Sequence, residues 1–141
     1  MRSHDRAGDT ERGAAAVELA LVLFPLLMLL LGIVEFSRVY SIQLRMQQAA
    51  RETAREVALH YDDPLIDVAA LTALVDTTLD DLLGEDFVDS LTTRSVTLCG
   101  DPTDDAVVVL VSNEALAIPL VGGGTVGAVD VAARSRMPCE G

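Results

Sequence analysis

Polar and hydrophobic residues change regime sharply along this chain. Up to Arg12 the residues are mostly polar and show no apolar periodicity, so this stretch is expected to be irregular. From Ala14 to Val34 the sequence runs A-A-A-V-E-L-A-L-V-L-F-P-L-L-M-L-L-L-G-I-V, in which Glu18 is the sole charge. As a helix rising about 1.5 Å per residue, this stretch covers about 31 Å, the hydrocarbon thickness of a bilayer, and reads as a transmembrane helix. Pro25 is expected to kink it, because proline offers no N–H to the carbonyl four residues back. From Glu35 to about Leu59 there is no proline or glycine. Phe36, Val39, Ile42, Met46, Ala49, Ala50, Thr53 and Val57 recur at three- and four-residue steps, with Gln47, Gln48, Arg51, Glu52, Arg55 and Glu56 on the other faces. The span therefore continues into an amphipathic helix, and the two together measure about 68 Å.

The pattern breaks at His60-Tyr61-Asp62-Asp63-Pro64. Asp63 and Pro64 form an N-cap and first-turn pair, and the leucines and valines from Leu65 to Leu83 predict a second helix that stops at Gly84. After a short acidic link, Arg94 to Cys99 alternates like a strand. Residues 100–105 carry turn chemistry, Ala106 to Val111 is a buried strand, and Glu114 to Leu120 extends it past an irregularity. Gly122 to Gly124 makes another turn, and Val126 to Arg136 is the last strand, with Val129 and Val131 facing inward. The expected fold is α+β: a long transmembrane helix, its amphipathic extension, a second helix, and a small antiparallel β-sheet packed on the amphipathic half. The expected organisation is a leader at 1–13, a membrane helix at 14–34, its extension at 35–60 and an extracytoplasmic α+β domain at 61–141.

Charge narrows the choice of partners. The net charge is −12, every basic residue is an arginine, and most of the acid lies beyond the apolar stretch. Such a surface repels nucleic acid, and the chain has few aromatic residues for stacking on bases. Arginines flank the apolar stretch on both sides and leave orientation undecided by count. The leader-like start and the placement of Cys99 and Cys139, which an oxidising exterior could pair, favour an N-terminus inside the cell. The cysteines are either a disulfide closing a long loop or two free thiols. A secretory signal peptide fits poorly, because no small-x-small site follows the apolar run. The candidate processing site lies before it, between Gly13 and Ala14.

Cleavage there would expose an ammonium at Ala14, about 6 Å along the helix from Glu18. In a bundle of such helices, Glu18 of one subunit can meet the Ala14 ammonium of its neighbour, offsetting the membrane cost of the acid. The competing reading places Glu18 at the helix start, favoured by the macrodipole and snorkelling to the headgroups. Other motifs carry less. Gly122-Gly123-Gly124-Thr125-Val126-Gly127 fits G-x-G-x-x-G in letter, but a strand-like pattern follows it instead of a helix, so it is a turn. Asp101, Thr103 and Asp105 start like a calcium loop, yet Ala106 and Ser112 fall where glycine and glutamate belong. His4 and His60 have no partner at zinc or nucleophile spacing. No cofactor, metal or catalytic residue is expected.

The segment R-G-A-A-A-V-E-L-A-L-V-L-F-P-L-L-M-L-L-L-G-I-V-E-F-S-R, followed by Q-x-x-A-A-R-E-x-A-R from Gln47, resembles the TadE family of minor pseudopilins of tight-adherence (Flp-type) pilus systems. The resemblance covers about Arg12 to Val57. It implies a pilin-like fold, cleavage after Gly13 by a prepilin peptidase, residence in the inner membrane, and a role in assembling or priming the pilus with other pilin subunits and the assembly platform. The alternative is an unprocessed signal-anchored envelope protein whose outer domain binds a ligand or scaffolds a complex.

Overall fold

The computed structural model describes residues 5–60, 63, 65–100, 104–117 and 125–139. Its elements are α1 (Asp5–Leu59), α2 (Val68–Leu83), α3 (Glu85–Asp89), β1 (Thr93–Thr97), β2 (Asp105–Ala117) and β3 (Thr125–Pro138). The fold is α+β, as the hydrophobic pattern predicts.

Helix α1 is 55 residues long with Pro25 inside it, about 82 Å from end to end. It begins at Asp5, so the irregular stretch expected up to Arg12 is helical over its described part. Adding residues to an existing helix is cheap compared with nucleating one, which lets the helix grow backward past the apolar run. An 18-residue window reaches a mean hydropathy of 2.7 with none of it buried, and α1 is the one helix among the described residues long and apolar enough to cross a membrane.

Beyond its apolar stretch, α1 becomes one wall of a core. Ile42, Met46, Ala49, Ala50, Ala54, Val57 and Ala58 are buried on it, as is Thr53. The run of alanines lets the sheet approach the helix closely. Phe36, expected on this stripe, is instead exposed and stacks on Tyr40 with ring centroids 6.1 Å apart. The α2-to-β3 part of the chain packs on α1 only from about Val39 onward, so Phe36 lies short of it.

The sheet is an antiparallel meander in the order β1-β2-β3. Ala106, Val108, Leu110 and Ser112 of β2 and Val131, Ala133 and Ser135 of β3 form its buried face, at the two-residue period of a strand covered on one side. α1 covers β2 and β3, and α2 lies beside α1 toward β1, where Arg94 pairs with Asp76. The irregularity expected after Val111 is absent and β2 runs straight through. Ser112 Oγ donates to Glu114 Oε1 at 2.7 Å, and Asn113 Nδ2 donates to Asp130 Oδ1 of its cross-strand partner at 2.6 Å. The shift in register comes later, between Leu116 and Ala117. Val131 faces inward as expected, but Val129 is 39% exposed, because at its level the sheet meets Arg38 rather than an apolar helix face.

α2 starts later than its expected cap. Asp67 is the N-cap, accepting from Ala70 N at 2.7 Å, while Asp63 accepts from Leu65 N at 2.9 Å in a turn ahead of it. The helix contributes Leu71, Val75 and Leu79 to the core. It ends at Gly84, whose φ of 89° is a conformation side chains resist. The expected acidic link after it is α3, one short turn that buries Val88. Tyr61, Asp62, Pro64, residues 101–103 and Gly122–Gly124 lie outside the described residues, as do the turns expected there.

Candidate functional site

The residues singled out for processing and docking lie on the free part of α1. Gly13, Ala14 and Glu18 are all exposed. A side chain built on Gly13 would meet nothing within 4 Å, so the fold itself places no demand for glycine there. Four residues separate Ala14 from Glu18, about one helical turn, which puts them on one face. Among the described residues Glu18 has neither hydrogen bond nor ion pair. The exposed apolar surface around it, including Val17, Leu19, Leu21, Val22 and Phe24, leaves the carboxylate set in a hydrophobic rod. Chemically this surface can take a lipid environment plus one cationic or hydrogen-bond-donating partner.

A second cluster, unforeseen in the sequence, sits where the apolar stretch of α1 ends. Arg38 donates through Nη2 to Glu35 Oε1 at 2.9 Å and to the Ala115 carbonyl at 2.7 Å, and through Nη1 to Glu114 Oε2 at 3.2 Å. One side chain thus ties the helix to β2 across 76 residues of sequence. The hydrogen bond to Glu35 is the main cause that holds the Arg38 guanidinium above its ordinary pKa, opposed by partial burial and assisted by Glu114. Its positive charge is therefore constant through the usable pH range. The spacing of Glu35 and Arg38 on a helix was legible as a pair; Glu114 had no local signal.

Above this cluster is an open cleft of about 420 Å³ between α1, the end of α2, α3 and β2. Arg38, Ile42, Arg45, Leu83, Phe87 and Asn113 are among its walls. Arg45 makes no ion pair among the described residues.

At the opposite end of the sheet Cys99 and Cys139 are bonded, with Cα atoms 6.1 Å apart. Cys99 follows β1 and Cys139 follows β3, so the bridge joins the two outer strands across the start of β2. There Cys139 N donates to the Asp104 carbonyl at 3.0 Å. Asp105, the last of the calcium-like trio, is paired with Arg136, whose pKa is raised chiefly by that hydrogen bond. Asp101 and Thr103 lie outside the described residues. No group of three or more His, Cys, Asp or Glu is arranged to hold a metal ion among the described residues. His60 Nδ1 lies 3.0 Å from the Glu56 carbonyl, a local helix-end contact, and His4 is outside the described residues.

No curated protein and no solved structure matches the chain. The stretch that carries Gly13, Glu18, Glu35, Arg38 and the A-A-R-E-x-A-R block does have a match: residues 13–55 fit the family model described as TadE-like protein.

Proposed function

We propose that this chain is a TadE-like pseudopilin: a single-pass subunit, N-terminus in the cytoplasm and outer domain beyond the inner membrane, that takes part in assembling Flp-type pili. A prepilin peptidase removes residues 1–13, and the new ammonium at Ala14 becomes the counter-charge for Glu18 of a neighbouring pilin or pseudopilin helix. The subunit is non-catalytic; its work is docking.

The observation that carries this reading is Glu18, exposed on an apolar helix and without a partner among the described residues. A charge in a membrane helix costs up to about 2.5–3.5 kcal/mol on insertion scales, and a structure that keeps one usually gives it a partner. A neighbouring helix can supply that partner in a medium of low dielectric, where the attraction is strong. The family match over residues 13–55, the stretch that contains Glu18, supports the same reading.

The test is Glu18→Gln expressed with the rest of the pilus machinery. Membrane insertion and the mature mass should stay as in the parent, while surface fibres fall at least tenfold. Fibres at the parental level, with the variant present in normal amount, would remove the docking role from Glu18.

A further inference from the structure

The β2–β3 hairpin runs back down α1 toward the membrane. At its far end Met137 and Pro138 line one cavity with Arg55, Ala58 and Leu59; at its near end Glu114 and Ala115 meet Arg38. The height of that near end follows from α1. Arg38 is four residues past Val34, about 6 Å beyond the end of the apolar stretch, and helical side chains lean toward the N-terminus, here toward the bilayer. The Ala115 carbonyl, 2.7 Å from Arg38 Nη2, therefore lies at headgroup level. Tyr40 stacked on Phe36 marks the same level on another face of α1, where amphipathic rings sit at a membrane surface. From Ala115, two more strand residues at about 3.3 Å each carry Ala117 to the hydrocarbon boundary.

The chemistry of the near end fits that place. Residues 115–129 contain no charged side chain, although the chain is 23% charged, and Glu114 and Asp130 close the stretch on either side. Among its described members, Ala115, Gly127 and Ala128 are exposed, and Val129 exposes 39% of its surface on the face where its neighbours Val131 and Ala133 are buried. An uncharged end with no cation to attract anionic headgroups takes the apolar part of a lipid interface.

We propose that the described lower ends of β2 and β3, Ala115 to Ala117 and Thr125 to Val129, form a second membrane contact, seated in the outer lipid interface beside α1 and held at that depth by Arg38. The outer domain then rests on the bilayer at two points and cannot swing freely about the helix. The inference needs α1 to cross the membrane but needs neither processing nor pilus assembly.

The test uses the full chain in phosphatidylcholine vesicles, with Cys99 and Cys139 left oxidised. A nitrobenzoxadiazole label is placed at Ala128→Cys, or four residues higher on the same strand at Ala132→Cys; both positions are exposed. Lipids carrying a headgroup-level nitroxide should quench the label at 128 at least threefold more than that at 132, and aqueous iodide should reverse the order. Ala115→Cys, directly across from Ala128, should behave as 128 does. Equal quenching at both heights overturns the proposal. So does protection from iodide at 128 without lipid quenching, which would place a protein partner there instead.

Discussion

Reduction of the Cys99–Cys139 bond is the perturbation whose magnitude can be worked most directly. The bond closes a loop of 40 residues, and in the chain-entropy model such a closure removes about 4 kcal/mol of unfolded-state freedom at 25 °C. In the native state it joins β1 to β3 at the end of the sheet remote from the apolar stretch of α1, with Cys139 fully buried. Reduction leaves two thiols of nearly the same volume, so packing changes little and the effect is almost all chain entropy. The assay is urea unfolding of the full chain in detergent, followed by circular dichroism, with and without a water-soluble phosphine. At a slope of about 1–2 kcal/mol per molar urea, the midpoint should fall by about 2–4 M. A midpoint that moves by less than about 0.5 M, with both thiols titratable, would refute the reasoning: the crosslink would then not restrain the unfolded chain as supposed. The double variant Cys99→Ala, Cys139→Ala should match the reduced protein apart from a small packing loss.

Other outcomes follow from single residues. Gly13→Val should stop removal of residues 1–13 while leaving helicity and insertion unchanged, because a side chain there meets nothing within 4 Å; intact mass and circular dichroism read the two separately. Leu110→Ala, at a fully buried position, should lower the stability of the α+β domain by about 2–5 kcal/mol in the same urea assay. Thr53→Val should raise it by about 1 kcal/mol, since the Thr53 hydroxyl is buried without a hydrogen-bond partner among the described residues and valine keeps the shape. Arg38→Met should cost only about 1 kcal/mol, as partly exposed ion pairs do, yet shift a label at 128 toward water.

Much of this molecule is legible in its hydrophobic spacing. The three-four repeat from Val39 to Val57 names the buried face of α1 because one helix stripe meets one sheet. Leu71, Val75 and Leu79 repeat every four residues for the same reason. Where reading failed, the deciding atoms lay far off in sequence. Ser112 and Asn113 look like a strand break, but cross-strand Asp130 and the nearby Glu114 carboxylate satisfy their side chains within the ladder. Asp63 looks like the better cap because Pro64 follows it, but Asp67 has the bond to Ala70 N that starts α2. Phe36 fits the stripe by period and misses the core because the domain begins just above it. Of the site, Gly13, Ala14 and Glu18 were visible as a glycine, small residues and an acid in an apolar run. The Arg38 junction was not foreseen, since Glu114 joins it only through the fold.

The account turns on the fate of the first thirteen residues. Intact-mass measurement of the protein extracted from membranes of cells that build fibres tests this directly. The account predicts a chain that begins at Ala14, with a free amine positioned for Glu18 of a neighbour. A mature protein that keeps Met1 to Gly13 in those cells would contradict it, and would leave a tethered outer domain with an acid in its anchor and no amine to meet it.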